Sequence, residues 1–128
     1  MTRSYSIRLV ALTLGVQIKW LDNLLSHFSI SGVARSRQGV CREVSHLGLV
    51  RIEVVRSLNE EFGIPLAKAV AIAETIVGAD LGEGVAYAQP SGLTLSIPVA
   101  AIERRLRDRL LDAIDAVAHL RRGRPKAG

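Results

Sequence analysis

Apolar residues recur along this chain at steps of three and four, the spacing that lays them along one face of a helix. Ser6 is suited to cap a first short helix over residues 7–14, with Ile7, Val10 and Ala11 on one face and Gly15 as its break. A second helix is predicted over 17–28. Ile18, Leu21, Leu24, Leu25 and Phe28 make its apolar stripe, and Gln17, Lys19 and Asn23 its polar face. A third opens at Ser45 or His46 and runs through Leu47, Val50, Val54, Leu58 and Phe62 until Gly63 stops it. Pro65 starts a fourth, whose buried side is Leu66, Ala69, Val70, Ala73 and Val77, with Gly78 at its end. A last helix over 99–120 carries Ile102, Leu106, Leu110, Ala113 or Ile114, and Val117 on one narrow stripe.

The helical period fails in two places. Segment 31–40 is polar, basic and bounded by Gly32 and Gly39, which predicts a β-hairpin. Segment 82–99 holds Val85-Ala86-Tyr87-Ala88 and Leu93-Thr94-Leu95-Ser96-Ile97 on either side of Gln89-Pro90-Ser91-Gly92, a second small hairpin. The expected fold class is therefore mainly α. Two short helices around a glycine turn read as a helix-turn-helix, with the first hairpin as a wing beside it.

Composition narrows the class. The chain has 128 residues, 48% hydrophobic and 23% charged, which suits one globular core and argues against a disordered chain or a two-domain enzyme. The net charge of +5 favours polyanionic partners, with nucleic acid first among them. The charge is uneven along the chain. Residues 1–50 carry six basic and two acidic side chains, 51–98 three and six, and 99–128 eight and four. Cys41 is the single cysteine, so no disulfide framework and no multi-cysteine zinc site is expected within one chain. No apolar run approaches the roughly 18 residues of a membrane span, and no leader-like start is present, so the expected home is the cytoplasm with no membrane partner.

These residues also resemble a family. Tyr5-Ser6-Ile7-x-x-Val10-Ala11-x-x-x-Gly15-Val16 is similar to the opening of the MerR-like winged helix-turn-helix regulators. The similarity continues through Gln17-Ile18-Lys19-Trp20-Leu21, the wing ending near Gly39 and Arg42, and the helix pair with Leu58, Gly63, Leu66 and Val70, over roughly the first 75 residues. It implies a DNA-binding homodimer whose carboxy-terminal helices pair antiparallel. The implied organisation is a winged helix-turn-helix over 1–78, a hairpin plus dimerisation helix over 79–120, and a basic tail over 121–128. The expected activity is sequence-specific binding of double-stranded DNA in transcriptional regulation, with repression as the default sign. Neither catalysis, nor a cofactor, nor a small-molecule effector is implied.

Candidate contacts follow. Gln17, Lys19 and Asn23 have the chemistry to read adenine, guanine or phosphate from a recognition helix. Arg35 and Arg37 alternate along the wing and leave the same face, and Arg42 just beyond could clamp a phosphate. Charge on such a strand also protects an exposed edge. Trp20 is expected to pack rather than to touch DNA, and Cys41 to be a small packed residue. Arg121-Arg122-Gly123-Arg124-Pro125-Lys126 resembles the core of an AT-hook, which implies minor-groove contact by Arg122 and Arg124; a plain basic terminus would add only counterion-release affinity. Ile102, Leu106, Leu110 and Val117 are the expected dimerisation seam, although a chain of this size can also cover the stripe with its own helices.

His27, His46 and His119 are scattered and have no useful partners for metal or triad chemistry. Glu60-Glu61, and Asp112 with Asp115, read as solvated faces, and Gly82-x-Gly84 is too short for a phosphate loop. The rival class is a protein-interaction adaptor or antitoxin-like subunit with incidental DNA binding. Asp22 favours it, because a carboxylate on the recognition helix repels phosphate.

Overall fold

Ser6 caps the first helix as its place in the sequence predicts, with its Oγ accepting from the Leu9 amide at 3.2 Å. The structure is a computed structural model that describes residues 4–34, 42–78, 85–88 and 90–122. A short strand, β1 (Ser4–Ser6), runs directly into α1 (Ile7–Leu14). Gly15 ends α1 at φ 70°, a left-handed conformation that other residues adopt only with strain, and the Val16 amide donates back to Ala11. The chain then turns into α2 (Ile18–His27), followed by β2 (Val33–Ala34) and β3 (Glu43–Ser45). Next come α3 (His46–Phe62), α4 (Leu66–Ile76), β4 (Val85–Ala88), β5 (Thr94–Ile97) and the long α5 (Val99–Arg122).

The fold is mainly helical with two small antiparallel sheets. β3 lies between β1 and β2, pairing Tyr5 and Val33 with opposite edges of Val44; β4 and β5 form the separate hairpin. β1 has no counterpart in the hydrophobic pattern. Three residues carry too little periodicity to predict a strand, and this one exists because Tyr5 closes over the core beside Val44.

α3 is the central helix. Leu49, Val50, Ile52, Val54 and Val55 are all essentially inaccessible and point in several directions, so α3 is enclosed on more sides than its predicted single stripe allows. It packs on α4 and touches α5, while α1 packs along α5 and on α2. Ser45 caps α3 by accepting from the Gly48 amide at 3.1 Å, and Gly63 closes it at φ 67°. The two chain segments at Gly32 and Gly48 meet backbone to backbone. A Cβ on Gly48 would stand 2.7 Å from the Gly32 carbonyl oxygen, and one on Gly32 would stand 2.7 Å from the Gly48 Cα. The entry to β2 is thereby seated on the first turn of α3.

Three expectations are corrected by this packing. Ile102, Leu106 and Leu110 are 7%, 1% and 4% exposed and belong to this chain's own core, so they are not a free seam for a twin. A stripe of that width looks the same in sequence whether it is covered in cis or in trans, and α1 and α3 cover it here. Only Val117 of the four remains accessible, with Ile114 and Leu111 near it. Ile18 and Phe62, placed on apolar stripes by spacing, are exposed, because each lies at a helix end where the neighbouring element no longer covers it. Arg121 and Arg122 are in α5 rather than in an extended tail.

Candidate nucleic-acid interface

The α1–α2 turn leaves the start of α2 open. Gln17 is its N-cap but makes no side-chain cap bond, so the first amides are not satisfied by a side chain and lie beside the exposed ammonium-bearing Lys19. Lys19 and Asn23 are four residues apart and share one outward face, and Gln17 precedes them at the N-cap; all three are exposed. Leu21 and Leu24 on the opposite face are buried and hold the helix against the body. Trp20 is half-buried and packs on the core, as its amphipathic ring suggests.

Arg42 adds a second element to this face. It precedes β3 and donates to Asp22 Oδ1 at 3.4 Å and to Ser26 Oγ at 3.3 Å, both on α2. Asp22 is therefore opposed by a guanidinium, and its repulsion of phosphate is offset at close range. Arg42 is accordingly not a free clamp: its terminal nitrogens turn onto α2, and the side chain links the strand layer to the helix. Sequence reasoning placed Arg42 and Asp22 in separate roles because the contact spans twenty residues of chain. Arg35, Arg37 and Cys41, expected in and beside the wing, lie outside the described residues, as does Arg124. Arg122 is the last residue of α5. The structure thus brings Lys19, Asn23 and Arg42 onto one side of α2, with Gln17 exposed at its N-terminal end.

The seat of this surface rests on a polar cluster the sequence did not reveal. The Ser31 amide and hydroxyl both donate to the Glu74 carboxylate at 2.7 Å. Arg51 donates to the Ser31 carbonyl at 2.9 Å and to the Val77 carbonyl, just past α4, at 2.8 Å. One residue at the α2–β2 connection is in this way held by α3 and α4 together. A cation at a helix carboxy-terminus is favourable, and it also satisfies a carbonyl that α4 leaves unpaired.

His46, for which no metal or triad partner is expected, joins the start of α3 to α5. Its Nε2 lies 2.9 Å from Glu103 Oε1, and Arg107 donates to the same carboxylate, which is only 7% exposed. Burial pushes the Glu103 carboxyl up, but hydrogen bonds from His46 and Arg107 and their charges outweigh it and hold it below the ordinary carboxylate value. A lowered carboxyl contributes stability that is present above the ordinary value and disappears as pH falls through the folded one. Urea midpoints should therefore drop on acidification below the ordinary carboxylate range. Glu103→Gln should cost about 1–3 kcal/mol at neutral pH and flatten that acid limb; an unchanged limb would remove Glu103 as its source. The second buried carboxylate, Glu53, accepts from Arg56 at 2.5 Å, and that bond, against burial, holds Arg56 above its ordinary value.

Among the described residues no group of three or more His, Cys, Asp or Glu could hold a metal ion, and no helix is long and apolar enough to cross a membrane. No family model matches this chain, and neither a curated protein nor a solved structure matches it.

Proposed function

We propose that the chain is a sequence-specific DNA-binding regulator of the winged helix-turn-helix type, in which α2 enters the major groove and the β2–β3 hairpin meets the flanking backbone. The observation that carries this reading is the joining of α2 to the strand layer through Arg42, Asp22 and Ser26, which places helix and hairpin base on one surface. The left-handed turn at Gly15, the open amides at the start of α2 and the exposed side chains of Gln17, Lys19 and Asn23 support it. Binding of labelled duplex should weaken linearly in log affinity against log salt. Lys19→Ala, Arg35→Ala or Arg37→Ala should each lower that slope by about one unit if the lost contact is to phosphate. Removing residues 123–128 should weaken all duplexes alike. A salt-independent interaction, or none with any selected genomic fragment, would leave the adaptor reading in its place.

Two-fold use of such a surface requires a dimer, and the accessible apolar groove between α1 and α5 is where we place its contact. Leu12, Ile18, Ile114 and Val117 line this groove of about 720 Å³, and each is at least 36% exposed. Light scattering should give twice the chain mass. Ile114→Asp should halve it with helical content unchanged, since the position is accessible within one chain; a monomeric mass for the unmodified protein would remove the dimer.

A further inference from the structure

The β4–β5 hairpin leaves a surface that DNA binding does not use. β5 is paired along one edge only, with Val85 opposite Ile97 and Ala88 opposite Thr94. Its other edge pairs with no strand among the described residues. Natural open edges are commonly blunted by a charge or a proline inside the strand. Thr94-Leu95-Ser96-Ile97 has neither, and Pro98 comes only after it.

Beside that strand runs a groove of about 360 Å³ with α3 and α5 as its other walls. Leu58, Ile97 and Ile102 supply apolar floor, and Phe62 stands at its mouth, 66% exposed. On the α5 wall Arg105 and Arg109 are one turn apart. Arg109 reaches Glu53 only at 3.9 Å, and Glu53 is already engaged by Arg56 at 2.5 Å. Arg105 is exposed and has no hydrogen-bond or ion-pair partner among the described residues. Among the described residues the groove therefore offers the unpaired edge of β5 on one side, an apolar floor, and on the α5 wall two arginines set against the exposed Glu61 of α3 as the one lining carboxylate that Arg56 does not engage.

We propose that β5 is extended by a strand from a partner protein, apolar at alternate positions and acidic at those facing Arg105 and Arg109. An extended occupant follows from the strand edge, whose N–H and C=O groups, unpaired among the described residues, are matched in row by another backbone in β conformation. The acidic character follows from the two arginines, and alternation follows from the period of a strand laid over an apolar floor. With four residues in β5, few main-chain bonds are available, so the interaction is a weak one of micromolar to submillimolar order.

The full chain is titrated into fluorescently labelled short peptides without any duplex present, so failure here and failure of DNA binding are separate results. A peptide alternating Val and Glu should bind saturably, and its Val and Lys counterpart about tenfold or more weaker. Methylating alternate backbone nitrogens of the Val and Glu peptide should abolish binding, which a merely electrostatic contact would survive. Arg105→Glu combined with Arg109→Glu, both at accessible positions, should reverse the preference toward the Val and Lys peptide. Equal binding of the two charge types, undiminished binding after methylation, or no saturation below about 1 mM would each overturn the proposal. So would a chain dimer whose mass falls on the same double substitution, because the edge would then belong to a second copy.

Discussion

Leu106→Asp is expected to unfold the chain outright, and not to separate two folded copies. Leu106 is 1% exposed beneath α1 and α3, with Val99, Ile102 and Leu110 along the same side of α5. Removing a buried leucine side chain alone costs about 2–5 kcal/mol, and an unpaired carboxylate in its place adds a desolvation penalty of several more. A domain of this size has about 5–15 kcal/mol in total, so the substitution consumes most or all of it. Far-UV circular dichroism should show lost helix at ambient temperature. Leu111→Asp, at a position 58% exposed on the same helix, should change the urea midpoint by little. If Leu106→Asp stays folded while its mass halves, the core assignment of α5 fails.

Among the glycines of the described residues, Gly32→Ala should be the most damaging change to alanine. The position combines φ 95° with a Cβ that would fall 2.6 Å from Ser45 Oγ and 2.7 Å from both the Cα and the amide nitrogen of Gly48. Backbone cannot rotate away as a flexible side chain can, so either β2 lifts off or the first turn of α3 shifts. The left-handed conformation costs about 1–2 kcal/mol and the forced displacement about 1–3 more. Gly63→Ala is the matched control: its φ is 67°, but nothing stands within 4 Å of the added Cβ. It should lose only the conformational part. Thermal unfolding of the two variants measures the difference. Because Ser31 and Gly32 seat the strand layer, Gly32→Ala should also weaken duplex binding beyond its effect on the folded fraction. Equal melting temperatures for the two variants would show that the Gly32–Gly48 approach is not tight in solution.

The helices were legible in the chain because their signals are local. Ser6, Gly15, Ser45, Gly63 and Pro65 punctuate the backbone at the ends where caps, left-handed turns and a missing amide act, and the structure places helix boundaries within a residue or two of each. The β4–β5 hairpin was legible for the same reason, with alternating runs around Pro90 and Gly92. The exposed face of Lys19 and Asn23 followed from the helix period alone, and Gln17 from its place at the helix start. What period and punctuation cannot carry is which surface covers which. Ile102, Leu106 and Leu110 had the spacing of a seam, and packing of α1 and α3 made them core. β1 required a partner strand some forty residues away, and the pairs of Ser31 with Glu74 and His46 with Glu103 join residues 43 and 57 positions apart. Local steric and hydrogen-bond preferences are written into neighbouring residues, whereas burial and ion pairing depend on distances that exist only after the helices have packed.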